Sequence, residues 1–79
     1  MKDKELLLRI VVDPHIMVGK PVIKGTRLTV QFILGLLAQG MSTEEILQEY
    51  NKLAKEDVLA CLAFAHNALE DTTFAPITL

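Results

Sequence analysis

Between Gly19 and Val30 the chain reads Gly-Lys-Pro-Val-Ile-Lys-Gly-Thr-Arg-Leu-Thr-Val, and no regular helix can run through it. Pro21 has no amide donor and presets an extended entry, while Lys24-Gly25 is a turn signal. Val22-Ile23 reads as a very short strand, so two β pieces around Lys24-Gly25 make a small hairpin or ribbon. Helical periodicity begins only where the stretch ends. It is therefore a preformed hinge, with a β arm before it and short helices after it.

Thr29 can cap a helix from Val30, whose inward residues Val30, Ile33, Leu34 and Leu37 recur at spacings of three and four; Gly40 supplies a left-handed stop. Ser42 and Glu45 have the spacing of a capping box, opening a second helix that buries Ile46, Leu47 and Tyr50 and ends near Asn51. A third helix runs from Lys55 to about Glu70. Connections this short force a compact bundle, and a helix, a tight turn with glycine and a second short helix resemble the helix-turn-helix plan of DNA-binding proteins. The third helix is apolar on every side from Val58 to Ala65, as in a helix surrounded by protein. Val58, Leu62, Ala65 and Leu69 form the face expected to meet the other two helices. Leu59, Cys61 and Phe64 are left for the arm, a second copy or another protein, and Ala60, Ala63 and Asn67 allow close backbone approach.

Upstream, Leu6 to Val12 reads as a strand that Asp13-Pro14 ends, with apolar residues on both faces apart from Arg9. His15 to Val18 is a connector with room for a helical turn. Residues 71–79 cannot continue the third helix through Thr72, Thr73 and Pro76, and they read as an extended tail whose Phe74, Ile77 and Leu79 suit a partner's groove. The expected organisation is one mainly α domain over residues 1–79: a β arm and hinge at 6–29, a three-helix body at 30–70 and a tail at 71–79.

A domain of 79 residues buries only about 60% of its unfolded surface, yet 51% of this chain is hydrophobic. That excess predicts a partner, most simply a homodimer. The net charge of −2 provides no global field for nucleic acid, so DNA contact needs a local patch. A single cysteine, Cys61, fits a reducing cytoplasm, and no apolar run approaches a membrane span.

Catalysis and metal binding find no footing in the residues. Gly19-Lys20 lacks the upstream glycine of a phosphate loop, and Pro21 stands where Ser or Thr would hold magnesium. Cys61 and His66, five apart on a helix, turn to different faces, and Asp13 with His15 lacks a third ligand. No cofactor or metal is expected. Arg27 has two readings: a clamp on a carboxylate such as Asp13 or Glu44, which is favoured, or a phosphate contact. Lys20, Lys24 and Arg27 form a cationic edge for DNA backbone if they point one way, with Lys52 and Lys55 at the entrance of the third helix as further contacts. Against base reading by that helix stands its acidic opening, Glu56-Asp57.

The order Arg9-Ile-Val-Val-Asp-Pro14, Gly19-Lys-Pro-Val-Ile-Lys-Gly-Thr-Arg27, Gly40-Met-Ser-Thr-Glu-Glu-Ile-Leu47, then Tyr50, Leu53 and Glu56-Asp-Val58 resembles domain-of-unknown-function family 433 over about residues 9 to 68. The resemblance implies a small three-helical fold of homeodomain-like or winged-helix-like type. It also implies a VapB-type antitoxin: a regulator of a type II toxin–antitoxin system that binds double-stranded DNA at its own promoter and neutralises a PIN-like ribonuclease toxin. On that reading Leu59, Phe64, Phe74, Ile77 and Leu79 are the partner-binding residues. The alternative is a dimeric protein-interaction module that uses the helix-turn-helix as scaffold. The family often has proline after the tyrosine and threonine before the third helix, where this chain has Asn51 and Ala54. A missing cap costs about 1 kcal/mol, so the third helix is expected to fray or start differently.

Overall fold

The computed structural model describes residues 3–70. They form a mainly helical body: helix α1 (Asp3–Leu7), strand β1 (Ile10–Val11), a tight turn (Met17–Gly19), strand β2 (Val22–Ile23), and helices α2 (Val30–Ala38), α3 (Thr43–Glu49) and α4 (Lys55–Leu69). The expected tail, with Phe74, Ile77 and Leu79, lies outside the described residues.

The hinge folds largely as its residues dictate. β1 and β2 pair antiparallel, Ile10 opposite Ile23 and Val11 opposite Val22, and the Arg9 carbonyl accepts the Lys24 amide at 2.8 Å. Val22 also bridges Thr29, closing a hairpin in which Leu28 O accepts from Ile23 N–H and Pro21 O from Val30 N–H, each at 2.9 Å. Gly25 turns it at φ +82°, a backbone state that side chains disfavour. Thr26 locks the turn: its hydroxyl donates to Ile23 O at 2.8 Å and accepts from Leu28 N–H at 3.0 Å. The connector before the hinge stays left-handed through Met17 (φ 49°), Val18 (φ 57°) and Gly19 (φ 78°), and it holds Val18 almost wholly in solvent.

Local capping sets the helix starts. The Thr29 hydroxyl accepts from Phe32 N–H at 2.9 Å at the head of α2. Ser42 and Glu45 exchange hydrogen bonds at 3.1 and 2.8 Å at the head of α3, completing the expected box. Hydrogen bonds to the Glu45 carboxyl from the Ser42 amide first, and then from the Ser42 side chain, hold it below its ordinary range. Gly40, at φ +96°, ends the α2 segment. α4 begins at Lys55 although Ala54 has no side-chain oxygen to offer. Instead Asp57 reaches back, its Oδ2 accepting Ala54 N–H at 2.8 Å.

The expected strand from Leu6 to Val12 is corrected. Its leucine-rich start is helical and only Ile10–Val11 is strand. Leucine, lysine and glutamate are strong helix formers, whereas the β-branched residues begin at Ile10. α1 packs on α4, whose Ala60 and Ala63 are buried and whose small side chains admit it closely.

Ile23, Val30, Ile33, Ile46, Leu53, Val58 and Cys61 make the core, with Leu34, Leu37, Leu47, Tyr50 and Phe64 packed around it. The expected inward face of α4 is therefore also corrected. Val58 is inside, but Leu62 and Leu69 are 45% and 64% exposed, and Cys61 is buried in the core instead. α1 and β1 both pack on α4, and the side of α4 that is buried carries Asp57, Val58, Ala60, Cys61 and Ala63 rather than Leu62.

Candidate functional site

A concavity of about 670 Å³ lies between the hairpin turn and the link from α3 to α4. Gly25, Thr26, Arg27 and Leu28 form one wall, Glu49, Tyr50, Asn51 and Lys52 the other, with Ile16 at the side. The turn chemistry explains the wall: Thr26 spends its hydroxyl on the backbone, which leaves the next residue, Arg27, exposed at the rim. Opposite, Tyr50 is held by an edge-on contact with Phe32, ring centroids 5.7 Å apart.

The clamp expected at Arg27 is absent. Among the described residues its side chain makes no ion pair or hydrogen bond, and the Asp13 carboxylate instead accepts His15 N–H at 2.8 Å. The ion pair that does form joins Arg9 Nη1 to Asp57 Oδ1 at 3.1 Å, tying the arm to the first turn of α4. Sequence reasoning missed this tie. Arg9 as the lone charge in an apolar run, and Asp57 leading into another, are the signal that pointed to it.

Of the five cations expected on DNA, all are exposed, but only Arg27 and Lys52 line this concavity. Lys20 borders two other depressions beside α2. Lys24 flanks the turn and Lys55 opens α4, and neither lines the concavity. The concavity thus carries two cations against the single carboxylate of Glu49, with the Tyr50 hydroxyl and the Asn51 amide as further hydrogen-bonding groups. Such a surface can receive an anion, the planar Arg27 fork suiting phosphate or carboxylate oxygens.

A second, apolar groove of about 320 Å³ runs between α2 and the end of α4, lined by Pro21, Val30, Leu34, Phe64, Ala65 and Leu69 among others. Phe64, an expected partner residue, lies half-buried there, whereas Leu59 is 40% exposed elsewhere on α4. The residues weighed for chemistry do not assemble. Cys61 is buried while His66 is exposed, and no three metal-ligating side chains converge among the described residues. Burial, and then the Asp57 carboxylate, push the Cys61 thiol up to about 12, so it is an inert core group. No helix among the described residues is long and apolar enough to cross a membrane.

Fold and site together define a small mainly helical domain with a β-hairpin hinge and a cationic concavity. The chain belongs to the family described as protein of unknown function DUF433, whose model matches residues 10–65. No curated protein and no solved structure matches it.

Proposed function

We propose that this protein is an antitoxin-like, DNA-binding regulator of the cytoplasm that binds its own promoter and neutralises a PIN-like ribonuclease. The observation that carries the DNA half is the shared concavity of Arg27 and Lys52, two cations from distant parts of the chain with no acid ion-paired to either among the described residues. It adjoins the turn between α3 and α4, where a homeodomain-like or winged-helix-like protein meets the duplex. Arg27 and Lys52 take phosphate oxygens, and Tyr50 and Asn51 add hydrogen bonds that set position rather than sequence. The contact is made to the backbone because the outward face of α4 carries Leu59, Leu62 and Leu69, which offer bases no donors. The toxin half rests on the family resemblance, with the tail as the neutralising segment.

Mobility-shift titration against the upstream DNA of the protein's own operon, across salt, tests this reading. Arg27→Ala and Lys52→Ala are each expected to weaken binding on every sequence and to reduce the salt slope by about 1. Absence of binding at low salt, or full binding by the double variant, rejects the DNA half. Loss of DNA binding with toxin neutralisation intact would favour the second reading, a protein-interaction module, which the apolar outward face of α4 recommends.

A further inference from the structure

α4 buries one side and presents a second, ordered apolar side to solvent. Asp57, Val58, Ala60, Cys61 and Ala63 face the body. On the opposite side lie Lys55, Leu59, Leu62, His66 and Leu69, separated by steps of four, three, four and three, and all exposed. Leu59, Leu62 and Leu69 are 40%, 45% and 64% exposed. Alternating steps of three and four keep side chains in one narrow seam, the pattern by which one helix receives another. The seam runs the whole helix, about 22 Å at ~1.5 Å per residue. A surface helix packed on its own domain has no use for this second stripe, and a DNA-reading helix would carry donors there.

The charges at the two ends of the seam say which helix covers it. Lys55 stands at its start and Glu70 directly after its end, both exposed, and neither has an ion-pair partner among the described residues. Two copies of α4 laid antiparallel about a two-fold axis put Lys55 beside the partner's Glu70 at both ends. They also put Leu59 beside the partner's His66 and bring Leu62 against its own copy near the axis. Parallel pairing would set like charge against like at each end. Lys55 and Glu70 each stand at the end of the helix dipole that disfavours their charge, whereas Glu56 and Asp57 in the same first turn and His66 in the last suit theirs.

We propose that the exposed face of α4 is a self-complementary seam through which two copies of this chain pair antiparallel, Leu62 at the axis and Lys55 bonded to the partner's Glu70. A single helix pair is a small interface, so the dimer dissociates with a Kd on the order of micromolar. The pairing does not depend on DNA binding: the shift assay fails or succeeds through Arg27 and Lys52, the seam through oligomeric state.

Sedimentation equilibrium on the full chain tests it, with circular dichroism to establish that each variant stays folded; the substituted positions are all exposed. The parent is expected to show a monomer–dimer equilibrium and Leu62→Glu a monomer. Lys55→Glu and Glu70→Lys are each expected to weaken pairing about tenfold, because each sets like charges together at both ends, and the double variant K55E/E70K to recover the parent affinity. A parent that is monomeric at about 1 mM overturns the proposal, whether residues 71–79 or nothing covers the stripe. So does a dimer that Leu62→Glu leaves intact, and so does a dimer indifferent to the single charge reversals, which would mean parallel pairing or another surface.

Discussion

Arg9 and Arg27 carry the same guanidinium into opposite circumstances. Arg9 reaches the buried Asp57 and holds the arm, while Arg27 is turned outward by a threonine that has spent its hydroxyl on the backbone. Residue type alone could not rank the two, because either can hold a carboxylate. Cys61 shows the same dependence on surroundings. Its thiol ionises ordinarily at 9.0 and at about 12 in the fold, so the raised value favours the neutral, folded form. That contribution is complete below pH 9 and is lost as pH climbs from about 9 toward 12. Iodoacetamide at pH 8 should therefore leave the native protein unmodified while alkylating the denatured chain, and the denaturation midpoint should fall above about pH 9. Rapid alkylation of the native protein would mean that α4 opens readily.

At the scale of the element, the starts of α2, α3 and α4 were legible because they depend on hydrogen bonds spanning a few residues. Thr29, Ser42 and Glu45 do in the structure what their spacing requires. α4 is the instructive exception. Ala54 has the extended backbone of a cap, φ −107° and ψ 162°, with no oxygen to cap with, and Asp57 supplies only the returning half of the box. Ala54→Ser should complete it and raise stability by about 1 kcal/mol in urea denaturation. An unchanged midpoint would show that the first turn is already satisfied by its tertiary contacts. α1 was missed for the converse reason: five residues are too few to declare a period, and the neighbouring Ile10-Val11-Val12 draws the whole run toward a strand.

For the whole molecule, the tie between residues 48 apart is an ion pair that, beside the packing of α1 on α4, joins the arm to the helical body. The Asp57 side chain is only 11% exposed and serves both Arg9 and Ala54 N–H, so Asp57→Ala should cost about 2–3 kcal/mol. The Arg9 side chain is 43% exposed, and Arg9→Ala should cost no more than about 1 kcal/mol. Chemical denaturation of the two variants and their double checks the order; equal losses would mean that the ion pair, rather than the cap, is what Asp57 is for. Two-fold pairing through α4 would bring two copies of the Arg27–Lys52 concavity into one particle, giving the symmetry that a palindromic promoter site requires.

The sequence by itself determined the hinge, the caps, the helix boundaries after Val30 and the family signature. Each of these is governed by a residue's own backbone preference or by partners within a few positions. Only the tertiary structure decided which side of α4 is buried, which arginine is a clamp and which cations share a concavity. Those outcomes hang on where a short arm folds back. A helix apolar on every side, as α4 is from Val58 to Ala65, holds no local record of which face will be buried and which left exposed.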